Sequence, residues 1–175
     1  MTKSDFVAVE KTPVTWYLVA DSRQGQVYTR EKLEKIIPIA GGSKHDKFSE
    51  ETSYELVAVP SLKWQAESTA EYEVGKNATG MVHESSGGAR HMSEPHIDVR
   101  DEVREHFARA LAKNLEHAAA EKSFDKLVLV APAKMLGEIK KHLSDKLAKL
   151  VSEEIHKDLT HCTAKELTDN LAHAA

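Results

Sequence analysis

The residues with the clearest chemical potential form one short stretch around a glycine pair. Gly87 and Gly88 stand between two serines and an arginine, shortly before a long amphipathic segment. Paired glycines let the backbone adopt positive φ without a steric cost, which permits a tight, exposed turn. The arginine and the two histidines that follow would place positive or titratable groups at a helix entrance, where free N–H groups favour anions. The predicted binding loop, residues 85–91, and the helix entrance together contribute Gly87, Gly88, Arg90, His91 and His96. Composition alone also fits a flexible surface loop.

A second candidate surface is a set of lysines that follows the apolar run 127–130. On a helix these lysines would form a positive stripe able to contact phosphates. Glu138 and Asp145 lie among them, so the alternative is a solvated face with balanced charge. The set comprises Lys134, Lys140, Lys141, Lys146 and Lys149, and the first three are the predicted candidate phosphate contacts.

Metal and nucleophile motifs give weaker signals. The chain has ten histidines, but no pair in the loop region has the helical i, i+4 spacing of a zinc protease, and one cysteine cannot form a Cys pair. Ser85 and Ser86 lack the Gly-x-Ser-x-Gly elbow of a serine hydrolase. The segment Gly41–Lys44 lacks the spacing of a phosphate-binding P-loop. We therefore assign no metal ligand, no catalytic residue and no cofactor.

Three aspartates, Asp21, Asp98 and Asp125, would hold a divalent cation only if they met at one edge of a sheet. Asp21 follows its predicted strand, whereas Asp125 precedes its own. If the two strands run parallel, these carboxylates lie at opposite edges. The better explanation of Asp21 is the turn that it begins.

Composition sets the broad class. The 175 residues fit one globular domain, with 41% hydrophobic residues available for a core. The 24 Lys and Arg against 28 Asp and Glu give a net charge of −4, unlike the strongly basic footprint of an autonomous nucleic-acid binder. The lone Cys162 fits a reducing compartment. No apolar run reaches the roughly 18 residues needed to span a membrane, and residues 1–13 lack the apolar run of a signal peptide. We expect a cytoplasmic protein without membrane contact.

The hydrophobic pattern predicts a single α/β domain at 14–175 behind a flexible leader at 1–13. Segment 31–53 is ambiguous between a helical turn and a strand interrupted by Pro38, and 66–93 is predicted to be a long loop insertion. The fold class is α/β, a mixed β-sheet flanked by helices. Strands are predicted at 15–20, 26–29, 54–59, 127–130 and 150–155, and helices at 95–121, 132–143, 144–149 and after the capping box Thr163–Glu166. One apolar stripe of the long helix comprises Val99, Val103, Phe107, Ala110, Leu111, Leu115 and Ala118.

Taken as a set, several segments resemble the bacterial host attachment protein family, described as required for attachment to host cells. They are 16–21, 87–91, 107–112, 127–137 and 157–160, and the resemblance covers about Trp16 to Leu171. The resemblance implies a fold similar to the middle domain of archaeal and eukaryotic class I release factors, a ribonuclease H-like component of the translational machinery.

In those release factors a Gly-Gly-Gln loop before a long helix enters the peptidyl-transferase centre and promotes hydrolysis of peptidyl-tRNA. Gly87 and Gly88 have a comparable position, but Ala89 stands where the glutamine would be. Alanine cannot place an amide near an attacking water, which argues against an enzyme. The resemblance thus implies a module that binds RNA or the ribosome through the 85–91 loop, with the ribosome or tRNA as partner. The alternatives are a hydrolase of peptidyl-tRNA or another RNA ester, and a protein-interaction module in host-cell attachment, including a homo-oligomer.

Overall fold

Two strands of almost continuous apolar residues, β1 (Thr15–Ala20) and β4 (Lys126–Val130), form the centre of the protein. The computed structural model describes residues 12–38, 48–68 and 98–173. Strands β2 and β3 follow β1 in the chain, and the last strand is β5. Their bounds are Gln24–Pro38, Phe48–Gln65 and Val151–Ile155. The helices are α1 (Val99–Ala120), α2 (Ala133–His142), the short α3 (Asp145–Ala148) and α4 (Ala164–Asn170).

The five strands form one mixed sheet in the order β3-β2-β1-β4-β5. Strands β1, β2 and β3 pair antiparallel, whereas β4 is parallel to β1 and β5 is parallel to β4. The predicted α/β class with a mixed sheet is therefore confirmed, as is the position of β5 at an edge. The carboxyl ends of β1, β4 and β5 consequently lie side by side along one edge of the sheet, the edge formed by strand ends and not by an outer strand.

Both faces of the two central strands are buried, which explains why their sequences are apolar without alternation. Leu18 and Leu129 face one side of the sheet, where α1, α2 and α3 pack. Val19 and Val128 face the other side, where Leu167 of α4 packs. On the first side Trp16 also stacks on Phe124, with ring centroids 4.7 Å apart.

Helix α1 begins later than the sequence pattern predicts. Its N-cap is Asp98, whose carboxylate accepts a hydrogen bond from the backbone N–H of Arg100 at 3.1 Å. The apolar stripe is largely confirmed, but Ala110 is exposed, and Ala108 and Ala112 are buried in its place. Ala108 and Ala112 lie closer than Ala110 to the centre of the buried face. All three are alanines, so the sequence pattern could not show which of them is buried.

The hairpin of β2 and β3 is much longer than predicted. The ambiguous region 31–53 contributes strand from both sides, paired from Glu31 with Glu55 out to Pro38 with Phe48. Pro38 ends β2, whereas Pro60 lies inside β3 rather than at its end. Proline is tolerated there because β3 is an edge strand and the register shifts beside it, between Gln26 and Tyr28 of β2.

The remaining elements follow their local signals. Helices α2 and α3 lie within the two predicted segments, and the capping box of Thr163 and Glu166 is present at the start of α4. Most of the predicted leader at 1–13 and of the insertion at 66–93 lies outside the described residues, so both stay predictions.

Leu111 tests the packing between α1 and the sheet. It is fully buried, and its Cδ2 atom would lie 3.1 Å from a Cβ built on Gly25 of β2. We expect Leu111→Ala to lower the free energy of unfolding by about 2–5 kcal/mol, because it removes buried methyl groups and leaves a cavity. Urea denaturation measures this, with the exposed Lys113→Ala as the matched control on the same helix. Equal effects of the two substitutions would contradict the packing.

Glu166 tests the capping box by its pH dependence. Its carboxylate accepts hydrogen bonds from the backbone N–H and the hydroxyl of Thr163, at 2.8 and 2.9 Å. These bonds hold the pKa of Glu166 below its ordinary value. A lowered folded-state pKa contributes stability above the unfolded-state pKa, and that stability is lost as the pH falls through the folded-state pKa.

We therefore expect Glu166→Gln to destabilise the protein at neutral pH, and the difference from wild type to shrink between about pH 5 and pH 3. Urea denaturation over that pH range measures the difference. Asp169→Asn on the same helix controls for removing a carboxylate. A difference that stays constant with pH would show that the ionised carboxylate is not the stabilising group.

Candidate functional site

A cleft of about 640 Å³ opens at the carboxyl ends of the parallel strands. Asp21 follows β1, Pro132 lies just beyond β4, and Asp158 follows β5. In sheets with parallel strands, ligands bind outside this edge because loops from neighbouring strands converge there. The charged and titratable side chains that line the cleft are Asp21, Arg23, Arg104, Lys134, Asp158 and His161.

Asp21 is held in place by the turn between β1 and β2. Its Oδ1 atom accepts hydrogen bonds from the backbone N–H groups of Arg23 and Gln24, at 2.6 and 2.8 Å. The explanation of Asp21 by its turn is thus confirmed. Its second oxygen, Oδ2, accepts from the hydroxyl of Thr160 at 2.9 Å, which connects the end of β1 to the segment after β5.

Thr160 joins two carboxylates. Its hydroxyl lies 2.7 Å from Oδ1 of Asp158 as well as 2.9 Å from Asp21. A hydroxyl carries one hydrogen, so it donates to only one of these carboxylates at a time. The result is a local concentration of negative charge on one wall of the cleft, which we call the acidic wall (Asp21, Asp158).

With His161, the acidic wall offers a mixed set of metal ligands. One ligand atom from each of Asp21, Asp158 and His161 lies within 4.8 Å of the others. A tetrahedral metal with bonds of about 2.1 Å would hold its ligand atoms about 3.4 Å apart, so the side chains would have to close around it. Two carboxylates and an imidazole suit Zn²⁺ or Mn²⁺ better than Mg²⁺.

Other side chains that line the cleft are positively charged. Arg104, in the second turn of α1, is only 14% exposed and donates from Nη2 to Oδ1 of Asp101. The hydrogen bond from Arg104, and then the charges of Arg104 and Lys134, hold the pKa of Asp101 below its ordinary value. Asp101 is itself half exposed. Lys134 has no carboxylate within ion-pair distance among residues 12–38, 48–68 and 98–173.

Helix α2 begins at this cleft without a side-chain cap. The side chain of its N-cap, Pro132, has no acceptor for the first N–H groups, and the first turn carries no acidic residue. Both Pro132 and Met135 line the cleft. The first N–H groups of a helix lack partners within it and carry a partial positive charge. They therefore add to the positive charge of Lys134.

A second cavity, of about 630 Å³, adjoins the first and extends along the start of α1. The two share Arg23 and Arg104, and the second adds Arg100 and Glu67. Ser68 and Arg100 both line it; Ser68 directly precedes segment 69–97, and Arg100 follows its end by three positions. We call Arg23, Arg100, Arg104 and Lys134 the basic wall.

The sequence-predicted site residues have different outcomes. Gly87, Gly88, Arg90, His91 and His96 lie outside the described residues, so their role stays a prediction.

Of the predicted phosphate contacts, Lys134 lies in the cleft. Lys140 and Lys141 lie at the other end of α2 and pair with carboxylates, Lys140 with Glu154 at 2.8 Å and Lys141 with Glu138 at 3.0 Å. The structure therefore does not bring the three lysines together in the cleft.

Sequence reasoning missed the arginines and the residues after β5. Arg100 and Arg104 are four positions apart, a spacing that places both on one face of a helix. Asp158 and His161 become candidates once β5 is recognised as parallel to β1, because their strand then ends at the same edge as Asp21. The interpretation of Asp125 was right: it accepts a hydrogen bond from the N–H of Val14, at the opposite edge of the sheet.

Comparison with known proteins gives two similarities. A family model described as "Protein required for attachment to host cells" matches residues 16–171. An uncharacterized protein, RP470, of Rickettsia prowazekii (strain Madrid E) is 37% identical over 68 residues. That match covers 38% of this chain and 45% of the relative, so the chain spans under half the length of the curated relative that it matches. None of the helices in the described ranges is both long and apolar enough to cross a membrane.

Asp21 tests how the cleft is held together. We expect Asp21→Ala to lower the free energy of unfolding by about 0.5–1.5 kcal/mol, because the N–H groups of Arg23 and Gln24 lose their acceptor at a turn that water can reach. Asp21→Asn keeps a carbonyl acceptor for this turn and should cost less. Chemical denaturation of both variants measures the difference. If they are equally destabilised, the carboxylate charge rather than the turn holds Asp21 in place.

Proposed function

This chain belongs to the family described as required for attachment to host cells. We propose that it is a cytoplasmic module that binds RNA or the ribosome. In this proposal the module is not an enzyme, and its effect on attachment is indirect. The observation that carries the proposal is the basic wall of the cleft.

The basic wall has the chemistry of a surface that contacts phosphates. Arginine binds phosphate oxygens with two parallel hydrogen bonds, and lysine binds them as a point charge. Three arginines and one lysine line two adjoining cavities, although the chain as a whole carries a net charge of −4. Backbone phosphates supply most of the non-specific affinity of RNA binding, so a local cluster is sufficient for contact.

The predicted binding loop has a supporting role in this proposal. Gly87 and Gly88 belong to the segment that joins β3 to α1, and described residues beside both of its ends line the second cavity. The proposed likeness to a release-factor middle domain is supported by the position of this glycine pair before the long helix. Ala89 in place of glutamine favours contact over hydrolysis.

A hydrolase of peptidyl-tRNA or another RNA ester is the second candidate function. What favours it is the juxtaposition of Asp21, Asp158 and His161 with the basic wall. A metal ion on these three side chains would lower the pKa of a bound water and supply a nucleophile. Purified protein that releases no peptide from stalled ribosomes and cleaves no RNA ester, with Zn²⁺ or Mn²⁺ added, would exclude this candidate.

Cell fractionation separates an indirect role in attachment from a direct one. A chain found only in the cytosol fits the RNA-binding proposal, whereas a chain on the cell surface would favour a protein-interaction module. A homo-oligomer remains a prediction that gel filtration with light scattering tests.

The basic wall predicts the effects of single substitutions on RNA binding. We expect Arg100→Ala and Lys134→Ala each to weaken binding of a single-stranded RNA several-fold. Each should also lower the slope of log K against log salt by about 0.7–1, because one phosphate contact is lost. Arg109→Ala and Lys113→Ala are matched controls, since both residues are exposed on α1 and line neither cavity.

Fluorescence anisotropy at several salt concentrations gives the affinity and its salt dependence. Arg90→Ala in the same series tests whether the predicted binding loop contacts the RNA. Co-sedimentation with ribosomes at low salt tests the larger partner. If neither RNA nor ribosomes bind the wild-type chain at low salt, the proposal is wrong. Equal losses in the cleft and control variants would show that binding depends on overall charge.

A further inference from the structure

We propose that Arg104, Lys134 and the first turn of α2 form a binding site for a phosphomonoester, the terminal phosphate of an RNA. This inference rests on the proposed function, because it names the group of an RNA that the cleft would hold. Three features of the cleft support it: the partly used donors of Arg104, the positive charge from two helices, and the pairing of Asp101 with Arg104.

Arg104 is positioned as a binding group that the protein uses only in part. A guanidinium has five N–H donors, and here one nitrogen, Nη2, is bonded to Asp101. The Nε atom is enclosed by protein and has no hydrogen-bond partner among the described residues. Burial fixes the side chain in advance, so little conformational entropy remains to be lost when an anion binds.

Positive charge from two helices converges on the same cavity. Arg104 belongs to α1, whereas Lys134 and the free N–H groups belong to the start of α2. Two full charges and the partial charge of about one half at a helix N-terminus act on this space, opposed by the carboxylate of Asp101 and by the acidic wall of the same cavity. A phosphomonoester carries about −1.5 to −2 charges near neutral pH, which matches the cations better than the single charge of a backbone diester.

Asp101 competes with a bound phosphate for the positive charge of Arg104 and Lys134. Its carboxylate is paired with Arg104 and attracted by Lys134, so it uses the charges that a phosphate would use. It is half exposed and can rotate away when a stronger anion binds. The pair Glu105 and Arg109 lies on the same helix at 2.6 Å but outside both cavities, and it provides a matched comparison.

The test measures binding by the full chain of inorganic phosphate and of one short RNA in three forms: 5′-phosphorylated, 3′-phosphorylated and unphosphorylated. Ionic strength is held constant. We expect a terminal phosphate to increase affinity about tenfold, and Arg104→Ala and Lys134→Ala each to remove that gain. Asp101→Asn should instead raise phosphate affinity about fivefold, because a competing charge is lost. Glu105→Gln and Arg109→Ala should leave it unchanged.

Arg104→Ala is expected to lower phosphate affinity and Asp101→Asn to raise it. These opposite effects distinguish a binding role of Arg104 from a purely structural one. If Arg104 served only to stabilise α1 through Asp101, then Asp101→Asn would lower the melting temperature without increasing affinity. That result, or equal affinity of the phosphorylated and unphosphorylated RNAs, overturns the site.

RNA binding that persists without any preference for a terminal phosphate leaves the proposed function standing and refutes this site. Binding of inorganic phosphate that depends on Arg104, without RNA binding, supports a phosphate site but refutes both RNA as its ligand and the proposed function.

Discussion

The parallel pairing of β1 with β4 is the constraint on which the rest of the structure depends. Both strands are buried on both faces, so a shift of one residue would exchange the side chains that meet α1 for those that meet α4. The register is therefore fixed, with Val19 opposite Val130. It follows that Asp21 and Pro132, each two positions after this pair, open onto the same cleft. The site is a direct consequence of the pairing that buries the core.

Local signals made the central elements predictable. The run 127–130 and the capping box at Thr163 are decided within a few residues, so the sequence indicates them clearly. The long hairpin was not predictable in this way, because charged residues such as Lys32 and Glu55 interrupt the apolar pattern where its strands pair through their backbones. The cleft was missed for another reason. Asp21 and Thr160 are 139 positions apart, and only the complete sheet order brings them together.

Net charge is a weak guide to what this cleft can bind. At physiological ionic strength, charges are screened over about 8 Å, so a ligand in the cleft responds chiefly to nearby groups. Most of the chain's 28 Asp and Glu residues do not line this cavity, whereas Arg104 and Lys134 do, together with the two carboxylates of the acidic wall. The composition correctly excludes a surface that is basic throughout, yet it does not exclude a local site for one or two phosphates.

The acidic wall restricts where an anion can bind in the cleft. Turn N–H groups and Thr160 hold Asp21 and Asp158, so these carboxylates cannot easily move away from an approaching anion. Phosphate oxygens are repelled there and attracted to Arg104 and Lys134, and such repulsion contributes to specificity as much as attraction does. Bringing a phosphate to the acidic wall would require a cation between them. In the function that we propose, phosphate contact therefore needs no metal, whereas the alternative of hydrolysis would require one.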